Sequence, residues 1–196
     1  EDVACSPKNV VPGTVYNSAN AFRTKQKGLY NDNNYDKDLD PHNLYDETSM
    51  EIDYKGDDVT VENFLRVLTN RHHPNTARNK RLATNANSNL FIYLSGHGGD
   101  NFLKFRDTEV LTAQDLAFAM QQLHAQQRFR EAFLIVETCQ AATMVEKITT
   151  PNVITSTSSV RGENSYSHGV DYELGLSVVD KYTFYLHEFY ARTHKF

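Results

Sequence analysis

Two residues of this chain have the types needed for nucleophilic acyl transfer, and each stands just past an apolar run. Cys139 follows Ala132 to Val136 in "REAFLIVETCQAATMVEK", and His97 follows "NLFIYLS" inside Gly96-His97-Gly98-Gly99. A thiolate attacks a carbonyl carbon, while an imidazole takes up the thiol proton and returns it to a leaving amine. Glycines flanking the imidazole let backbone N–H groups come close to a carbonyl oxygen, so the N–H groups of Gly98 and Cys139 form a candidate oxyanion hole. Taken singly, each residue has a plainer explanation: a cysteine at a strand end is a small hydrophobe, and a histidine between glycines is a turn residue. Taken together, the two polar residues end separate core strands at one sheet edge, which favours chemistry. A zinc site is the weaker idea, because no Cys or His lies at C-x-x-C or H-x-x-x-H spacing. "SGHGGDNF" also lacks the lysine and spacing of a phosphate loop.

The elements that must hold these residues read as alternating strands and helices from Met50 onward. "SMEIDY" (Ser49 to Tyr54) has the form of a short strand. "TVENFLRVLTN" carries Val61, Phe64, Leu65 and Leu68 at helical spacing, with Thr60 as N-cap. "NLFIYLS" (Asn89 to Ser95) is a continuous strand. Thr112 and Asp115 open a helix whose inner face is Leu116, Ala119, Met120 and Leu123. "AFLIVET" is the strand before Cys139, and the small residues after it predict a short helix, whose unpaired N–H groups would favour a thiolate. "NVITSTSS" (Asn152 to Ser159) is extended. A capping box from Ser177 to Asp180 predicts a last helix that buries Val178, Tyr182, Tyr185 and Phe189. This alternation implies an α/β fold, a mostly parallel sheet with helices on both faces. In such sheets functional groups gather beyond the carboxyl ends of the strands.

Composition narrows the class further. With 196 residues and 39% hydrophobic content the chain has the size of a single domain, 1–196. Residues 1–50 are polar, and 18–48 form a long acidic loop in this reading. There Asp36, Asp38, Asp40 and Glu47 mimic a calcium loop, but Pro41 occupies the position that needs glycine. A net charge of -5 argues against nucleic acid or an anionic membrane surface as partner. The basic stretch "RHHPNTARNKR" (Arg71 to Arg81) reads as a solvated loop. The sequence opens on Glu1 instead of Met, which suits a fragment of a longer protein.

"IYLSGHGGDNFLKFRD" followed by "LIVETCQAATM" resembles the catalytic subunits of GPI transamidase, relatives of the legumain-type and caspase-type cysteine peptidases. "VTVENFLRVLTNR", "NKRLATNANSNLFIYLSGHGG" and "DKYTFYLHEF" extend the likeness to nearly the whole chain outside 18–48. The resemblance implies a caspase-like fold and a catalytic dyad of His97 and Cys139, with Gly98 as the oxyanion-hole glycine. It also places Glu137 as an acid beside the substrate pocket, and Ser158 and Ser159 as the polar stretch lining it; strand-end hydrogen bonding explains the two serines equally well. Cys5, in "EDVAC", matches a cysteine that joins a partner subunit by an intermolecular disulfide. Glu51 and Asp53 resemble carboxylates that bind a structural calcium, and no cofactor is required for the chemistry.

The partners implied are the other transamidase subunits, proprotein C-terminal signal peptides and a GPI lipid, at the lumenal face of the endoplasmic reticulum membrane. Nucleic acid is not among them. A strand and a helix that open the family's fold upstream of the D-x-A-C piece are missing from this sequence, as is a C-terminal membrane anchor. A legumain-like endopeptidase, and a non-catalytic fragment or scaffold docking through Cys5, are the alternatives.

Overall fold

Strict alternation sets the first strand. In β1, Asn89–Ser95, Leu90, Ile92 and Leu94 are buried while the residues between them are exposed, as expected of a strand with one face on a core. It pairs in parallel with β5, Glu131–Glu137, and β5 pairs in parallel with β6, Val153–Thr157. The register matches Leu90 with Ala132, Ile92 with Leu134 and Leu94 with Val136, so these six buried side chains share a face, while Ile135 and Glu137 of β5 are buried on the other. These elements belong to a computed structural model that describes residues 7, 9, 12–15, 44–45, 50–172 and 175–193. The chain divides into two compact units, Asp53–Ser165 and a second made of Glu1–Ile52 with Tyr166–Phe196.

In the Asp53–Ser165 unit, α1, Val61–Thr69, begins where Thr60 Oγ1 accepts the Asn63 N–H at 3.0 Å, and it ends on Asn70 in the left-handed region. The second helix, α2, Ala113–Ala125, begins at Thr112, whose hydroxyl accepts from the Asp115 amide at 3.1 Å and donates to the Asp115 carboxylate at 2.7 Å. Both starts follow the side-chain capping that the sequence indicated. Leu68 of α1 and Leu116, Ala119, Met120 and Leu123 of α2 share one core with the buried face of β1 and β5. Fully buried leucines of this kind make the core costly to cut: Leu134→Ala is expected to lower stability by about 2–5 kcal/mol, read as a shift in the urea midpoint.

The opposite face of the sheet carries Phe91, Phe133 and Ile154; Phe91 is 61% exposed and Ile154 66%. An antiparallel ribbon of β2 (Gly98–Gly99), β3 (Phe102–Phe105) and β4 (Glu109–Thr112) follows the first strand. The architecture is therefore mixed α/β with a parallel three-stranded sheet, as expected, plus a ribbon that the alternation of strands and helices did not announce.

Three local expectations are corrected. Residues 50–54 form no strand: Glu51 is exposed, Asp53 Oδ1 accepts from Asn79 at 3.2 Å, and the Tyr54 hydroxyl donates to the Lys80 carbonyl at 2.8 Å. These side-chain bonds tie the segment to residues 79 and 80, and the chain turns into a 3-10 helix at Gly56–Asp58. The segment after Cys139 is a four-residue 3-10 turn, Ala141–Met144, in place of an α-helix. In the second unit, the stretch read as a helix start is a strand, β8, Leu176–Asp180, antiparallel to β7, Ser167–Asp171. Val178 and Val179 are β-branched, and a hairpin partner outcompetes a capping box there. The helix α3 starts only at Lys181 and runs to Thr193, with Tyr185 and Phe189 more than half exposed.

The basic stretch from Arg71 to Arg81 is bonded to itself. Arg81 donates to the Thr76 carbonyl from Nε and Nη2, and to the Pro74 carbonyl from Nη2. His72 sits beside it with its pKa held below the usual 6.5, first by burial and then by the positive charges of Arg81, Arg128 and Arg66. The folded chain therefore takes up this proton less readily than the unfolded chain, so stability declines as pH falls through and below 6.5. His72→Gln should flatten that decline in urea unfolding followed between about pH 7.5 and pH 5.5, and salt should weaken it in the parent protein.

Candidate active site

Parallel pairing brings the two candidate residues to the same edge. Ser95 and Glu137 are register partners at the carboxyl ends of β1 and β5, and His97 and Cys139 each lie two residues beyond that rung. A further bond, from the Gly96 N–H to the Glu137 carbonyl at 3.2 Å, carries the pairing past the last rung. His97 is exposed and Cys139 half-buried. Neither side chain has a hydrogen-bond partner among the described residues.

Gly98 explains how the two loops approach so closely. A Cβ built on it would lie 2.5 Å from the Phe102 carbonyl oxygen and 2.5 Å from Thr138 Oγ1. No side chain fits there, so the glycine is required by contact with the residue next to Cys139. The Cys139 amide has no partner among the described residues, which leaves its N–H free to donate to a carbonyl oxygen.

The serines expected to line a pocket have backbone partners on the cysteine loop. Ser158 Oγ accepts from the Thr138 N–H and donates to the Thr138 carbonyl, both at 3.2 Å. Ser159, 5% exposed, donates to that same carbonyl at 2.8 Å and accepts from the Ala141 N–H at 3.1 Å. Two hydroxyls thus bracket Cys139 from either side along the chain, the strand-end role that stood beside the pocket-lining one. Glu137 is 2% exposed, and the Tyr93 hydroxyl donates to its Oε2 at 2.8 Å.

Other residues that tie the loops together escaped the sequence reading. Gln140 is left-handed, with φ 55° and ψ 34°, a turn that non-glycine residues adopt sparingly. It is held by its N–H to the Glu163 carbonyl at 2.9 Å and by the Gly162 N–H to its Oε1 at 3.0 Å. Thr143, fully buried, donates from Oγ1 to the Gln140 carbonyl at 2.8 Å, with the Gly99 carbonyl 3.3 Å away, and accepts from the Asn101 N–H at 2.8 Å. The Arg161 guanidinium bridges Asp100, beyond the histidine loop, and Glu146, beyond the cysteine loop. None of these has a spacing signature, because each reaches a partner distant in sequence.

The metal expectation gains no site. Glu51 is exposed, the strand that was to place it beside Asp53 does not form, and the described residues include no group of three His, Cys, Asp or Glu able to hold an ion. Calcium takes 6 to 8 oxygen ligands, so these two carboxylates do not fit it by themselves. Cys5 lies outside the described residues.

A parallel sheet that delivers a thiol and an imidazole at neighbouring strand ends is the framework of a cysteine-peptidase-like enzyme. Residues 1–193 match the Peptidase C13 family, and the chain belongs to it. Among its relatives are the GPI-anchor transamidase of Saccharomyces cerevisiae, 43% identical over 195 residues, and that of Homo sapiens, 41% identical over 189 residues. The GPI-anchor transamidase of Schizosaccharomyces pombe is 45% identical over 184 residues. These alignments take in 100%, 96% and 94% of this chain respectively, but 43% of each relative. The chain therefore spans less than half the length of these relatives.

The tight seat of Gly98 gives a direct test. Gly98→Ala forces a methyl against a backbone oxygen that cannot swing away, an overpacking expected to cost about 1–3 kcal/mol in urea unfolding. Unchanged stability would mean that the loops stand farther apart than described.

Proposed function

We propose that this chain carries the catalytic centre of a GPI-anchor transamidase, with Cys139 as nucleophile and His97 as proton carrier. The observation that carries the reading is the β1–β5 register, which sets both residues two positions past one rung. The family and the named relatives support it.

In this mechanism His97 takes the Cys139 proton as Sγ attacks the carbonyl carbon of the acceptor residue in a proprotein. Negative charge gathers on the carbonyl oxygen, where the N–H groups of Gly98 and Cys139 stabilise it. The C–N bond then breaks. The signal segment leaves as an amine that takes the proton from His97, and a thioester to Cys139 remains. The ethanolamine-phosphate amine of a GPI lipid attacks the thioester carbon, the C–S bond breaks, and the thiolate recovers a proton. The proprotein keeps an amide to the lipid in place of its C-terminal tail. Glu137, fixed by Tyr93, is the acid beside the substrate pocket in this reading, and Ser158 and Ser159 hold the nucleophile loop at its wall.

No helix among the described residues is long and apolar enough to cross a membrane. We assign lipid contact to membrane-embedded partner subunits, one of them linked through a disulfide to Cys5, and the reaction to the lumenal face of the endoplasmic reticulum. Structural calcium at Glu51 and Asp53 would need ligands from outside the described residues.

In the full-length protein within its complex, Cys139→Ala and His97→Ala should each abolish GPI attachment to a reporter proprotein and leave expression and assembly unchanged. Hydrazine added to the parent enzyme should yield the reporter as a hydrazide. A product with a free carboxylate even at high hydrazine would identify an endopeptidase instead, and attachment surviving in either variant would remove the dyad.

A further inference from the structure

Thr138 lies between the candidate nucleophile and the last residue of β5, and no part of the mechanism above uses its side chain. It is 1% exposed, and Oγ1 has no hydrogen-bond partner among the described residues. A buried hydroxyl without a partner disfavours the folded state, and valine, of nearly the same shape, would remove that desolvation cost. A hydroxyl retained in such a place calls for a specific use.

Its neighbour supplies one. Thr138 Oγ1 is 2.5 Å from where a Gly98 Cβ would lie, while Thr138 Cγ2 is 3.3 Å away. The oxygen, and not the methyl, is thus the atom turned to Gly98. The glycine hydrogen that replaces a Cβ points at this oxygen and, on its other flank, at the Phe102 carbonyl, also 2.5 Å from the Cβ position. Such polarised Cα–H groups make weak contacts with oxygen, of the kind that recur between neighbouring strands. A methyl in place of the oxygen is larger and carries no partial negative charge, so it would push the Gly98 peptide outward.

We propose that Thr138, through Oγ1, is a positioning residue that seats the Gly98 backbone against the Cys139 loop and so aims the Gly98 N–H at the developing oxyanion. This rests on the transamidase reading, in which Cys139 attacks and Gly98 donates. Serine keeps the oxygen and preserves the seat. Valine keeps the volume and loses it. Alanine leaves a gap. The role differs from that of Ser158 and Ser159, which hold the main chain of the cysteine loop from the β6 side.

The test uses the full-length protein in its complex, with hydrazide formation on a reporter proprotein followed across substrate concentration. Thr138→Val should lower kcat roughly ten- to a hundredfold with KM little changed, the scale of a misplaced catalytic group, while its thermal midpoint equals or exceeds the parent value. Thr138→Ser should retain kcat within roughly twofold, a rescue that a purely structural role would not produce. Should valine fail to assemble, the alanine and serine pair decides: alanine falls as valine was expected to, and serine does not. Parent-level kcat in Thr138→Val, or equal losses in the serine and alanine variants, overturns the inference. Cys139→Ala in the same assay separates the two levels: if it stays active the transamidase reading fails, and if it is dead while valine is fully active only the role of Thr138 fails.

Discussion

The parallel ladder between β1 and β5 is the constraint on which the rest of the Asp53–Ser165 unit depends. Parallel strands finish at the same edge, so residues equally far past the last rung are neighbours however distant they are in sequence. Had the two strands run antiparallel, His97 and Cys139 would stand a strand length apart, on the order of 20 Å for seven residues. The same register selects the core. Leu90, Ile92 and Leu94 share their face with Ala132, Leu134 and Val136, and a slip of one residue would turn either set out of the core. One pairing thus couples packing to the candidate chemistry, so the site cannot shift without disturbing the face that α1 and α2 cover.

Beyond the ladder, the loops are held mainly by buried hydroxyls. The Arg161 bridge to Asp100 and Glu146 is about half exposed, and exposed ion pairs contribute about 0–1 kcal/mol each. Ser159 and Thr143 are buried and each hydroxyl both donates and accepts, and leaving such partners unpaired costs about 1–3 kcal/mol. The hydroxyls therefore set the loop geometry, and the guanidinium adds to it at the rim. Gly98 and Thr138 complete the arrangement by close contact, where a missing Cβ on one loop makes room for a side chain on the other. Size, more than charge, decides how near the histidine loop comes to the cysteine loop.

Much of this was legible because it is local. The caps at Thr60 and Thr112, the apolar faces of their helices, and the strands that precede Gly96 and Cys139 all follow from neighbouring residues. The failures share one cause, competition from partners that local pattern does not reveal. Ser177 to Asp180 resembles a capping box until β7 offers an antiparallel partner. "EIDY" alternates like a strand, yet the side chains of Asp53 and Tyr54 engage Asn79 and the Lys80 carbonyl. The ribbon of β2, β3 and β4 was hidden because two- and four-residue strands are too short for a period to register.

By itself, the sequence determined which residues have the chemistry, and that His97 and Cys139 each end an apolar strand. Residue type and local alternation suffice for that. Only the tertiary structure decided that the two strands are adjacent and in register, that Gly98 is needed for room against Thr138, and that Ser158 and Ser159 bond the loop backbone. Those facts depend on contacts between segments far apart in the chain, where the outcome rests on which of several possible partners packs best once the core has formed.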